Sequence, residues 1–375
     1  MTKLTPKTIV LALYHLLVGT IIAANFRAGH WLMGWDGLYP EFNIPLNLIR
    51  GLTASWQEYY GAGLVGGHGF AATLPHTLII GLFSLIIPQH LVRSIFIFLC
   101  YYLGGLGMLL VSQKLLRYIF ENNKNVQGEH EIFADHRHVD RASEGLASSA
   151  SRKFHADLSA YISLVASLYY LTNLATIQTF YVPLEAFTVH FAALPWLTYG
   201  LILLLEKTTR KRILFFCTVL LLSSVQGFIP AVFAAYGVSL AIITGTYTLL
   251  HRFEKKVLRT MVIVWSCVIA VNAYWLAPVG YFTLVQSKDY INAYNNIMTT
   301  PQFVAKSIQY GLLPDAILLK SFLWDSTELG GAILAPWKNH VALPAITVIG
   351  YAFFGLAVAG VLIRLLGHRK PLAWG

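Results

Sequence analysis

Stretches of about 18 to 25 apolar residues return along the whole chain, and no other feature limits the fold so severely. A run of that length crosses a hydrocarbon core of roughly 30 Å as a helix. Inside lipid every backbone N–H and C=O must be satisfied within the protein, so only helices and closed barrels can span. Barrel strands alternate apolar and polar residues, whereas these runs are continuous. Composition agrees: of 375 residues only 12% are charged and 14% are aromatic, and mean hydropathy is +0.60, more apolar than a soluble core of this size requires.

The expected fold class is therefore all-α, a polytopic integral membrane helical bundle forming a single transmembrane domain over residues 1–375. Crossings are predicted over residues 8–26, 91–112, 158–174, 186–205, 213–225, 228–250, 257–282 and 345–366, about eight in all. The run 74–88 is short and broken by Pro75 and Pro88, which predicts a re-entrant or interfacial segment. The first run follows Lys3 and Lys7 and lacks a small-residue cleavage site, so it reads as a retained span.

Net charge is +10, but the basic residues lie in short clusters beside apolar runs, from Lys207 to Arg212, His251 to Arg259 and Arg364 to Lys370. That is a topology signal and not a nucleic-acid-binding stripe. Lysine and arginine accumulate on the cytoplasmic side, so these clusters, the N-terminus and a polar insertion at 113–157 are predicted to face inside. The insertion lacks periodic hydrophobics and reads as a mobile cytoplasmic loop. Its His130, His136 and His138 would then lie far from any chemistry outside, and no metal site is assigned. Cys100, Cys217 and Cys267 all fall inside apolar runs and read as small core hydrophobes.

Parity then puts two mixed segments outside: a first external loop at 27–73, and a second external segment at 283–343. In the first, IPLNLIRGL reads as an interfacial helix with Ile44, Leu48 and Leu52 on one face. Asp36, in GWDGLYPEFN, sits where the first span emerges, among Trp31, Trp35, Tyr39 and Glu41. Aromatic faces stack on sugars and carboxylates hydrogen-bond to them, a mixture suited to a polar ligand beside the membrane. Arg27, His30, Arg50, His68 and His76 are the outward-side candidates to bind an anion, and Glu185 opens a later span at the same edge. Gln226 lies near another outer corner.

GWDGLYPEFN, followed by an interfacial helix and a glycine-rich turn, resembles the first external loop of GT-C membrane glycosyltransferases. ASLYYLTNLATIQTFYVPLEAFTVHFAALPWLTYGLILLLEK (166–207) resembles a helix pair of one branch, and NAYWLAPVGYF (272–282) a third segment of it. That branch includes the mycobacterial arabinofuranosyltransferase D group and, more distantly, YfhO-type bacterial membrane proteins. The resemblance implies a GT-C-like fold and an inverting transfer of a sugar from a polyprenyl-phosphate donor to a cell-envelope glycan or lipid, outside the cytoplasmic membrane of a prokaryote. It implies that Asp36 acts as general base. Members differ in their need for a divalent metal, and no second acid is clearly paired with Asp36. Members are usually longer, which suggests that this chain is their membrane N-terminal part or a truncated relative. A transporter or flippase for lipid-linked glycans would share the composition, and so would a catalytically silent scaffold of the same fold.

Overall fold

The computed structural model describes residues 5–33, 37–53, 69–132, 141–285, 287–288, 301, 312–320, 324, 327–328, 331–332 and 337–367. Within them the regular structure is helical apart from one short antiparallel pair, Thr327–Glu328 with Gly331–Ala332.

The first helix, α1 (Pro6–Asn25), starts where the Thr5 side chain accepts from the Thr8 amide and Pro6 supplies a preset φ. It buries only Val10, Tyr14 and Val18, one stripe at four-residue spacing, and leaves Leu11, Leu13, Leu16 and Leu17 outward. An apolar helix exposed on most of its circumference needs lipid around it. Among the described residues six helices are long and apolar enough to cross a membrane. They are α1, α4 (Gln89–Ile132), α7 (Glu185–Glu206), α9 (Pro230–Leu250), α10 (Lys255–Val285) and a last helix at Pro344–Gly367.

The end of α5 (Arg141–Thr172) and α6 (Leu174–Tyr181) are long and apolar enough only together, and are bent by 49° as a broken span or a re-entrant loop is. Asn173 makes the break. Its side chain accepts from the Thr176 amide at 3.1 Å and donates to the Tyr170 carbonyl at 2.9 Å, ending one helix and capping the next. The eighth expected run forms α8 (Arg210–Leu222), of 13 residues. At 1.5 Å per residue that is about 20 Å, short of a full crossing. The chain continues from it as a buried 3-10 turn, Ser224–Phe228, before α9.

The insertion expected as a loop is largely helix, because α4 runs on to Ile132 and α5 begins at Arg141. Loss of hydrophobic periodicity removes a reason to pack. It does not remove the helix propensity of Ala, Glu, Lys, Arg and Leu.

The helices α4 and α7 form the axis of the bundle. In LGGLG (103–107) a Cβ on Gly104 would strike the Phe191 ring, and one on Gly107 would lie 2.8 Å from Trp196 Nε1. Small residues let the two backbones approach, as membrane helices require in the absence of a hydrophobic drive. Trp196 then donates to the Leu103 carbonyl at 2.9 Å. On its other side α4 meets α5, where Ser167 donates to the Gly105 carbonyl at 2.7 Å. Three apolar cores result, one on α7 to α10, one on α1, α4, α5 and α7, and one on α3 (Leu74–Ser84), α4 and α7.

One end of the bundle is basic. There Glu206 pairs with Lys114 at 2.6 Å and Arg212 at 3.4 Å, and Thr208 meets Thr260 at 3.1 Å. At the opposite end, α2 (Ile44–Leu52) lies beside α3. Leu46, Ile49 and Leu52 of α2 point outward, while Ile44 and Leu48 are half-buried and Gly51 packs on Leu74. Asn47 and Arg50 turn toward a polar cavity in the protein. Of the second mixed segment, Trp324 is buried against Leu174 of α6, beside Trp337 and Ile346, so these parts pack on the bundle.

Candidate functional site

Arg93 lies in the second turn of α4 and Glu185 is the first residue of α7, at the end away from the basic clusters. Their side chains are 5% and 3% exposed and form an ion pair between Arg93 Nη1 and Glu185 Oε1. Such a pair is retained only where its remaining hydrogen-bonding atoms are also met. Most of them are: Arg93 Nη2 donates to the Pro183 carbonyl at 2.7 Å, and Glu185 Oε2 accepts the Leu38 amide at 3.1 Å, while Arg93 Nε is buried without a partner among the described residues.

The pair thereby grips the first loop. Arg93 also stacks over the Tyr39 ring at 4.4 Å. A Cβ at position 37 would sit 2.6 Å from the Tyr39 ring and 2.9 Å from Arg93 Nη2, so only Gly37 lets the loop close down. Tyr39 itself holds a left-handed φ of 43°, a conformation costly for a residue with a side chain. Tyr39 leads directly into the 3-10 turn Pro40–Phe42, whose Glu41 is 6% exposed. Burial pushes the Glu41 carboxyl above the usual carboxylate range, with Arg93 pulling the other way. Gln89 Nε2 donates to the Glu41 carbonyl at 2.6 Å and ties this turn to the start of α4.

Between this loop, α2 and the 3-10 turn Phe70–Thr73 lies a cavity of about 200 Å³. Gly37 and Leu38 line it from the loop, Asn47 and Arg50 from α2, and Thr73 and Thr77 from the segment below. The far wall reaches the turn after α8: Ser224 donates to the Ala72 carbonyl at 2.9 Å, and Phe228 lines the cavity. Beneath that turn, Trp275 of α10 packs on Gly227, its indole N–H held by Asn272 at 2.9 Å.

The predicted residues divide accordingly. Glu41 and Glu185 meet through Arg93 and the first loop, and Arg50 lines the cavity. Arg27 and His30 lie exposed beyond α1 and do not line it. His76 is 2% exposed, its ring edge-on to Phe96 at 4.8 Å with no hydrogen bond to either nitrogen; the cavity is lined by its neighbour Thr77. Trp35, Asp36 and His68 lie outside the described residues. Gln226 is buried and bridges α7 to the turn through His190 at 2.8 Å and Ser223 at 3.3 Å.

The residue that sequence reasoning missed is Arg93. Its signal was a guanidinium in LVRSIFIF, at the start of an apolar run, where a charge demands a partner. Among the described residues no three His, Cys, Asp or Glu side chains gather as a metal site. No family model, curated protein or solved structure matches the chain.

Proposed function

We propose that the chain is a GT-C-type inverting glycosyltransferase that moves a sugar from a polyprenyl-phosphate donor to a cell-envelope glycan or lipid. The observation that supports it is the buried Arg93–Glu185 pair, which fastens the loop at Leu38 and Tyr39, two and three residues after Asp36, beside a polar cavity. Leu38, Glu185 and Trp275, one from each of the three segments that carry the resemblance, lie at this one end. By the positive-inside tendency the basic end is cytoplasmic, so the site faces outward from the inner membrane of a prokaryote.

In this reading Asp36 takes the proton of an acceptor hydroxyl. The freed oxygen attacks the anomeric carbon, the bond from that carbon to the phosphate oxygen breaks, and polyprenyl phosphate departs with the electron pair. General-base assistance is worth roughly 10² to 10⁴ in rate. Arg50, on the cavity wall, supplies the cation for the leaving phosphate.

The test is transfer from a radiolabelled polyprenyl-phospho-sugar in membranes carrying the wild type, Asp36→Asn or Arg50→Gln. Turnover unchanged in a folded Asp36→Asn protein would remove the general base. A flippase for lipid-linked glycans is the second reading, favoured by the 49° break between α5 and α6, since broken helices mark transporters. It requires label to cross sealed vesicles without any transfer product.

A further inference from the structure

A second cavity lies at the other end of the molecule. It measures about 470 Å³ and opens between α4 and α9, flanked by α7 and the junction into α10. Its inner walls are apolar, with Leu201 and Leu205 of α7, and its lip carries Ile243, which is 45% exposed on the lipid-facing side of α9. A cavity that opens sideways through apolar residues is entered from the bilayer more readily than from water.

Its polar groups lie at the basic end. Glu206 lines it, but that carboxylate is already met by Lys114 and Arg212. Glu254 and Lys256 also line it, and neither makes an ion pair among the described residues. His251 adds a directed group. Its Nδ1 lies 3.0 Å from the Tyr247 carbonyl, which can only accept, so Nδ1 carries the hydrogen. In the neutral ring Nε2 is then an acceptor, and it is buried without a hydrogen-bond partner.

We infer that this cavity binds an aminophospholipid from the adjoining leaflet, with acyl chains against Leu201, Leu205 and Ile243. Its phosphate meets Lys256, and its ammonium meets Glu254 and His251 Nε2. One cation, one anion and one acceptor match a zwitterionic head, whereas a purely anionic head would leave Glu254 opposed by a phosphate. Basic pockets between spans on the cytoplasmic side bind anionic lipid heads, and the carboxylate and acceptor added here shift the match to a zwitterionic one. The site is independent of the transfer reaction proposed above.

The experiment uses the purified full chain in detergent, probed with dioleoyl phosphatidylethanolamine, dioleoyl phosphatidylglycerol, dioleoylglycerol or soluble phosphoethanolamine. Retained lipid is read by native mass spectrometry and stabilisation by thermal shift. Phosphatidylethanolamine is expected to be retained best. Glu254→Gln and Lys256→Gln, both exposed positions that fold without difficulty, should each weaken it roughly tenfold, the order expected for one charge-assisted hydrogen bond. Ile243→Trp should exclude every lipid by filling the lip, while Lys211→Gln, at the same end but off the cavity, should change nothing. The proposal fails if dioleoylglycerol or phosphatidylglycerol is retained equally well, or if the two charge variants keep the wild-type preference. It fails too if soluble phosphoethanolamine stabilises as strongly as the lipid, since the ligand would then be water-borne.

Discussion

Glu185 accepts the backbone amide of Leu38 at 3.1 Å across 147 positions of sequence, while its other oxygen holds Arg93. One carboxylate therefore joins the first loop, the start of α4 and the start of α7. Glu185 is the carboxylate in direct contact with Arg93, and the Leu38 amide keeps its acceptor only while that carboxylate keeps its place.

Removing one partner should therefore cost more than removing both. Arg93→Met leaves a buried carboxylate without its cation, a loss of about 3–5 kcal/mol. Arg93→Met with Glu185→Leu replaces the pair with apolar bulk and should recover a large part of that stability. Thermal unfolding in detergent checks the order. A double variant no more stable than Arg93→Met would show that the pair is not what makes the single change costly. Even if stable, the double variant should lose the transfer activity proposed above, because Leu38 has lost its acceptor.

The packing of α4 on α7 makes a contrast between glycines. Gly104→Ala forces a methyl into the Phe191 ring and is expected to destabilise by about 1–3 kcal/mol. Gly237→Ala, in the middle of α9 with nothing within 4 Å of the new methyl, should be neutral or stabilising by up to about 1 kcal/mol. Melting temperatures of the two variants, each against wild type, decide it.

Much of this architecture was legible in the sequence and some was not, for physical reasons. The crossings were visible because the bilayer sets their length, and the Glu185 start because a membrane-edge acid is a local signal. Arg93 was hidden because its partner lies 92 residues away, and a long-range pair leaves no trace in spacing. The inward face of α2 was not legible because IPLNLIRGL carries apolar residues on most of its circumference. Which side turns inward depends on the cavity that takes Asn47 and Arg50. The helical extensions through 113–132 and 141–157 were missed because a helix can form without an apolar stripe.

Glu41 gives a pH dependence. Its carboxyl is raised in the folded protein by burial, so the fold binds that proton more tightly than the unfolded chain does. Stability from this group is then greatest at low pH and falls as the pH rises through the usual carboxylate range to the raised value. Glu41→Gln mimics the protonated form and should remove that slope. The two proteins should melt together at acid pH, and the variant should melt higher at neutral pH. A difference that is independent of pH would mean that Glu41 keeps the same protonation in both states.

The orientation of the whole molecule rests on where the basic end lies. Lysine and arginine are retained on the cytoplasmic side during insertion, and Lys114, Lys207, Arg210, Lys211, Arg212 and Lys256 all gather at one end. With Cys100, Cys217 and Cys267 replaced by Ala, a single cysteine at Arg27 should react with a membrane-impermeant maleimide in intact cells. One at Lys211 should react only after the membrane is opened. Both positions are exposed, so access depends on the side of the membrane and not on burial. Labelling of the Lys211 position from outside would turn the molecule over. The Arg93–Glu185 site would then face the cytoplasm, where a donor for external transfer could not reach it.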